Sequence, residues 1–262
     1  MNRVAFNIFG FNVYYYSLCI LLGVIVAYML ITREGKKQGL PKEFISDLIF
    51  YTLIIGILGA RVYYCVFNLD YYLANPLEIL KIYNGGLAIH GGVIAGLIFV
   101  YFYTKKKNVS FIKILDIVAP AVIIAQSFGR WGNFFNQEAH GGITTYQNLK
   151  NMHIPEFIIN GMYIEGKYYY PTFFFESIWC LIGFIILMIA RRNKNLRKGF
   201  QIGFYFIWYG IGRFFIEAFR TDSLMFFGLK IAQIVSLIGI IIGIIIIVTN
   251  RNKKYYNEME VK

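Results

Sequence analysis

Charge is scarce in this chain. Asp, Glu, Lys and Arg make up 15% of its 262 residues, against roughly 25% in soluble domains, while 58% are hydrophobic and 19% aromatic. That deficit excludes an ordinary soluble domain and points to a polytopic membrane protein. Acidic residues are scarcer still, 14 against 26 Lys and Arg, for a net charge of +12. Such an excess can mark a nucleic-acid binder, but here the basic residues gather in short runs between apolar stretches, as topology signals do. They also favour anionic lipid headgroups, so a bilayer and no nucleic acid is the expected partner. Only three cysteines occur, Cys19, Cys65 and Cys180, each isolated within or beside an apolar stretch. Lacking C-x-x-C spacing, they exclude a disulfide framework and a zinc knuckle, and buried packing is their expected role. The first apolar stretch has no basic n-region beyond Arg3 and no small-residue cleavage site, so it reads as a retained helix. No internal repeat, nucleotide motif or metal site is visible, and no cofactor is expected.

Long apolar runs are what the chain has instead. Seven stretches have about the 20-residue length that crosses roughly 30 Å of hydrocarbon: 12–32, 44–66, 87–103, 114–135, 172–190, 200–219 and 229–249. The expected fold is therefore an all-α membrane protein of seven transmembrane helices, one domain over 1–262. Segments 33–43, 104–113, 191–199 and 250–262 together hold 17 Lys and Arg, and the alternate segments 1–11, 67–86, 136–171 and 220–228 hold 5. The positive-inside rule then places the N-terminus outside and the C-terminus in the cytoplasm. Segment 136–171, the only long one, becomes an extracytoplasmic cap or arm. Gly85-Gly86 and Gly91-Gly92 bracket Leu87-Ala88-Ile89-His90, which makes the outer end of the third span irregular or tightly turned. Gly92-x-x-x-Gly96 and Gly239-x-x-x-Gly243 permit close helix approach.

Polar residues inside these spans are costly. The run Ile114–Phe128 leads into Gly129-Arg130-Trp131-Gly132-Asn133-Phe134-Phe135-Asn136-Gln137-Glu138, closing at Gly141. An arginine in mid-membrane costs roughly 2.5–3.5 kcal/mol on insertion scales unless it is compensated, and its fork is shaped for phosphate. With the topology above, Arg61, His90, Arg130, Asn133, Glu138, Glu176, Arg213 and Glu217 come from five spans, yet all fall in the outer half of the membrane. Snorkelling to the interface covers Glu138 and Glu176. It does not cover Arg213, which shares one helix face with Tyr209 and Glu217 at i−4 and i+4. One polar cavity open to the outer leaflet is the better reading. Structural alternatives stand beside it: an Arg61–Glu176 ion pair, Glu217 holding an arginine, Asn133 and Asn136 as helix-end caps, and His90 as a packing histidine. Asp116 reads as a start-of-helix charge, and His140 and His153 receive no role.

These motifs resemble one family, the bacterial phosphatidylglycerol–prolipoprotein diacylglyceryl transferases. The spacing G-R-x-G-N-F-x-N-x-E-x-x-G is similar to its signature. Asn84-Gly85-Gly86-Leu87-Ala88-Ile89-His90-Gly91-Gly92 resembles its G-G-x-x-x-H-G-G segment, and Asp116-Ile117-Val118-Ala119-Pro120 its D-x-x-A-P. Tyr209, Arg213, Glu217 and Arg220 resemble its Y-x-x-x-R-x-x-x-E-x-x-R face, and Arg61 in Gly59-Ala60-Arg61 matches a further arginine. The family's H-P-[ST]-Q-[LP]-Y-E segment reads Tyr170-Pro171-Thr172-Phe173-Phe174-Phe175-Glu176 here, so only Pro171 and Glu176 carry over. Tyr16 matches an early tyrosine, and Ile20 stands where a later one occurs.

The resemblance implies an enzyme of the bacterial inner or plasma membrane that faces the outer leaflet. It would move the diacylglyceryl group of phosphatidylglycerol to the lipobox cysteine of preprolipoprotein signal peptides, releasing glycerol phosphate. It also implies roles: Arg130 and Arg213 as a phosphate clamp, His90 as the group that deprotonates the thiol, and Asn133, Glu138 and Gly141 around the headgroup. Glu217 would orient an arginine, and Tyr209 and Arg61 would complete the binding set. A seven-span transporter or channel with an outer-leaflet anionic-substrate site is the competing class, although such proteins commonly carry repeats and a mid-membrane site. An intramembrane protease would need a Ser–His or paired-aspartate arrangement, and Ser127 is an isolated serine.

Overall fold

The computed structural model describes residues 3–8, 10–82, 85–221, 225–226, 228–252 and 256. Asn84 of the glycine-histidine segment lies outside them, as do parts of segments 220–228 and 250–262. Long helices dominate. Among the described residues, five are long and apolar enough to cross a membrane: α1 (Tyr15–Lys37), α2 (Lys42–Val66), α5 (Phe111–Asn136), α8 (Thr172–Ala190) and α10 (Ile231–Asn250). Helices α4 (Ile89–Lys106) and α9 (Phe200–Phe219) occupy the two other expected spans and fall outside that set. His90, Lys105 and Lys106 dilute the first, and Gln201, Arg213 and Glu217 the second.

The first span differs from expectation at both ends. Residues 12–14 are not helical: β1 (Val4–Ile8) pairs antiparallel with β2 (Phe11–Tyr14), pairing Ile8 with Phe11 across the turn. The Asn7 side chain accepts from Gly10 N–H at 2.9 Å and donates to Asn12 Oδ1 at 2.8 Å, so local turn chemistry outweighs apolar composition. Beyond it, α1 runs past residue 32 to Lys37, because hydropathy ends at the first charges while helical hydrogen bonding does not.

The chain forms two compact units. In the first, Met1–Ile31 and Leu115–Glu258, helices α8, α9 and α10 pack in sequence. Segment 136–171 holds β3 (Ile143–Thr144), α6 (Tyr146–Asn151), α7 (Glu156–Gly161), β4 (Tyr163–Ile164) and β5 (Lys167–Tyr169), with strand order β3-β5-β4. Leu149, Ile154, Ile158, Ile159 and Met162 bury themselves with Phe134 of α5 and Phe173 of α8, so an apolar core fastens this segment to two helix ends. After α9, β6 (Met225–Phe226) pairs with β7 (Leu229–Lys230). Lys230 Nζ caps α9, donating to the carbonyls of Glu217 (2.7 Å), Ala218 (3.2 Å) and Arg220 (2.8 Å).

Asp116 corrects its sequence reading. It is fully buried inside α5 and caps a different helix, accepting from the N–H groups of Gly199 at 2.5 Å and Ile202 at 3.0 Å at the start of α9. In the second unit, within Thr32–Ile114, α2 continues into α3 (Leu69–Ala74) and a 3₁₀ turn, Pro76–Leu80, and packs against α4. Gly92 of the first G-x-x-x-G pair approaches Gly56 of α2, and Gly243 of the second approaches Gly203 of α9. Gly239 has ordinary space around it.

Candidate active site

The site grows from the meeting of α5, α8 and α9. Trp179 of α8 and Trp208 of α9 stack with ring centroids 4.2 Å apart. Trp179 Nε1 donates to Trp208 O at 2.8 Å, and Trp208 Nε1 to Trp179 O at 2.9 Å. This reciprocal lock fixes the register of the two helices. It is possible because position 212 carries no side chain, where a Cβ would collide with the Trp179 indole. Glu176 stands one turn before Trp179, and Arg213 directly follows Gly212, so the lock brings acid and base together.

Glu176 is the hub. Its Oε1 accepts from Arg130 Nη2 at 2.5 Å and from the Tyr209 hydroxyl at 3.3 Å, while Oε2 accepts from Arg213 Nη1 at 3.1 Å. Arg130 Nη2 also donates to Tyr209 Oη at 3.1 Å. Arg213 Nη2 lies 2.6 Å from Glu217 Oε2, and Arg220 Nε lies 3.9 Å from the same oxygen. Three arginines thus face two carboxylates. The acid side chains are 4% and 3% exposed, and Arg130 and Arg213 are 24% and 17% exposed. Positive charge remains on the open side, held in place by buried negative charge. Arg130 Nε is buried and makes no hydrogen bond within the described residues. Such an arrangement holds an anion with rigid forked donors.

Each member of the alternative Arg61–Glu176 pair has partners within its own unit: Glu176 is shared by Arg130 and Arg213. Arg61 is instead buried among main-chain carbonyls of its own unit. Ser127 and Ser177 bond one another at 2.9 Å in the interior, which leaves neither serine placed as a nucleophile.

Comparison with known proteins bears on this arrangement. The family model described as prolipoprotein diacylglyceryl transferase matches residues 3–249. The chain belongs to that family. It is 49% identical over 251 residues to the phosphatidylglycerol–prolipoprotein diacylglyceryl transferase of Bacillus cereus (strain G9842), covering 96% of this chain and 93% of that one. The enzyme of the same name from Bacillus cytotoxicus is 48% identical, and that of Bacillus thuringiensis subsp. konkukian 49%, with the same coverage.

The remaining family-motif residues fall into two places. In the first unit, Asn133 Nδ2 donates to Glu138 Oε1 at 2.9 Å and Asn136 Nδ2 to the same oxygen at 3.4 Å, so both amides serve one carboxylate. Gly141 N–H donates to Tyr170 O at 2.9 Å, and Gly141 forms a β-bridge with Arg220. A Cβ there would lie 2.8 Å from that of Tyr170, so glycine lets the motif's end lie against the end of α9. In the second unit, His90 is exposed in the first turn of α4, its ring 6.5 Å from that of Tyr63, centroid to centroid. Composition and spacing pointed to both arginines and to the Tyr209–Arg213–Glu217 face. They missed Glu176 as the shared counter-ion, although its place near the outer start of an apolar span was the available signal.

Proposed function

We propose that this protein is a phosphatidylglycerol–prolipoprotein diacylglyceryl transferase, carrying out the first step of lipoprotein maturation. Family membership over nearly the whole chain supports this reading, and the Arg130–Glu176–Arg213 cluster is the observation that carries it. Its substrates are phosphatidylglycerol and the signal peptide of a preprolipoprotein, with a lipobox cysteine as acceptor. All seven apolar helices span the membrane, with the N-terminus outside, the C-terminus in the cytoplasm and the cluster toward the outer leaflet. The lysine and arginine imbalance of the connections supports that orientation. Residues 136–171 serve as an extracytoplasmic cap on a single transferase domain.

In the reaction the cysteine sulfur attacks the glyceryl carbon that bears the phosphate. A C–S bond forms, the C–O bond breaks, and its electron pair leaves on the phosphate oxygen. The phosphodiester carries one negative charge and the departing glycerol phosphate approaches two. Donors that gain strength as this charge develops lower the barrier. Arg130 and Arg213 fill that role, preorganised by Glu176, while Tyr209 and Glu217 hold the two forks in place. Asn133, Glu138 and Gly141 shape the headgroup end. His90 takes the thiol proton, because a free cysteine with a pKa of about 8.5 is only a few per cent ionised near neutrality.

A transporter gains no support from the comparisons, which name transferases. The deciding experiment incubates purified protein with phosphatidylglycerol and a lipobox peptide and weighs the peptide. A mass gain of one diacylglyceryl group on the cysteine, with stoichiometric glycerol phosphate, is expected. An unmodified peptide in the presence of folded protein would overturn the assignment.

A further inference from the structure

We propose that Arg61 is a positioning residue for His90, holding the chain that enters α4, and that it is not a ligand for lipid. Four of the five N–H groups in its fork are committed to main-chain carbonyls. Nε donates to Ile79 O at 3.0 Å and Nη2 to Glu78 O at 2.5 Å, both in the 3₁₀ turn. Nη1 donates to Gly85 O at 2.8 Å and Gly86 O at 3.0 Å. One side chain therefore staples both ends of the connection between α3 and α4 to α2. The guanidinium lies over the Tyr72 ring, 5.2 Å from its centroid, and Arg61 is buried. Little of its donor capacity is left for a phosphate.

The staple ends four residues before His90. Gly86 has a φ of +71°, and a Cβ there would run into Arg61 Nη1, so the close approach needs glycine. The next tie comes from the neighbour of Arg61: Ala88 N–H donates to Ala60 O at 3.0 Å. After the histidine, a Cβ on Gly91 would lie 2.5 Å from Gly59 O. Three consecutive residues of α2, Gly59, Ala60 and Arg61, thus fix the backbone on both sides of His90. The imidazole itself makes no hydrogen bond to a described residue; the Tyr63 ring lies 6.5 Å away, centroid to centroid. A catalytic base is commonly aimed by a third polar group. Here the backbone frame supplies the aim, and Arg61 is its one charged member. Lysine cannot replace it, since a single ammonium cannot span two carbonyl pairs on opposite sides of a planar fork.

This inference rests on the reading of His90 as thiol base, and the test separates the two. Transfer is measured in detergent micelles with phosphatidylglycerol and a lipobox peptide for His90→Gln, Arg61→Lys, Arg61→Gln and Arg61→Gln/His90→Gln. Misplacing a reacting group by about 1 Å costs up to roughly 100-fold. Arg61→Gln is therefore expected to lower kcat by about 10- to 100-fold with little change in KM for phosphatidylglycerol. Arg61→Lys should resemble Arg61→Gln more than the parent, and the double variant should be no slower than His90→Gln alone. If Arg61→Gln fails to fold, Arg61→Lys and Gly86→Ala, each alone and combined with His90→Gln, are judged by the same criteria. A slow His90→Gln combined with a normal Arg61 variant, a raised KM at normal kcat, or multiplying losses in the double variant would overturn the Arg61 proposal alone. A near-normal His90→Gln would remove the base assignment and this proposal with it.

Discussion

The carboxylate of Glu176 gives one oxygen to Arg130, at 2.5 Å, and the other to Arg213, at 3.1 Å. The two forks are thereby set side by side by a buried charge that no solvent screens. Removing the acid leaves two cations facing one another across the site. A fully buried pair broken this way costs about 3–5 kcal/mol, and the partial exposure of the arginines brings the expected cost nearer 1–3 kcal/mol. Glu176→Gln should lower the melting temperature in detergent and reduce transfer even at saturating lipid. Unchanged stability and rate would show that the arginines hold their places without it.

Arg130→Lys and Arg213→Lys should fail nearly as badly as the alanine variants, because lysine keeps the charge and loses the fork. Losing one charge-assisted contact of about 1.5–3 kcal/mol corresponds to roughly 10- to 150-fold in affinity. Larger losses in kcat would assign the contact to the transition state. Near-normal transfer by Arg213→Lys would favour a simple positive field over a shaped clamp.

Gly212→Ala should force Trp179 away from Trp208 and slip α8 against α9. Overpacking of this kind costs about 1–3 kcal/mol, and here it also pulls Glu176 from Arg213. Gly239→Ala is the control, since the nearest atom to its Cβ would be 3.9 Å away. Thermal unfolding and transfer should both fall for the first variant and hold for the second. Equal behaviour of the two would remove the indole lock from the account.

His90→Gln and His90→Ala should be slow near neutrality and partly recover as pH rises toward the thiol's own pKa of about 8.5, where the peptide ionises unaided. A base contributes about 100- to 10,000-fold. A flat deficit between pH 6.5 and 9 at saturating lipid would instead make His90 a headgroup donor.

Single cysteines placed at 147 or 160 should react with an impermeant reagent added outside intact cells, and those at 106 or 195 should not. The background would carry replacements of Cys19, Cys65 and Cys180. Reversed labelling would invert the orientation and the outer-leaflet placement of the site.

Hydropathy and charge pattern are properties of contiguous residues, so the sequence alone determined that this is a helical membrane protein, where its long helices run, and that Arg130 and Arg213 are costly enough to need a purpose. Helix spacing likewise placed Tyr209, Arg213 and Glu217 on one face. The boundaries moved where local turn chemistry acted, as at Asn7 and Gly10, or where a helix outlasted its apolar stretch, as at Lys37. Partner choice needed the tertiary structure. Glu176 is 46 residues from Arg130 and 37 from Arg213, and which arginine it meets depends on the register that Trp179 and Trp208 impose. Arg61 looked like a cation in search of an anion, yet backbone carbonyls up to 25 residues away satisfy it. Asp116 looked like a charge at its own helix end, and it caps a helix 83 residues on. Buried polar groups must find partners wherever the fold brings them, and a linear pattern records the need without recording who meets it.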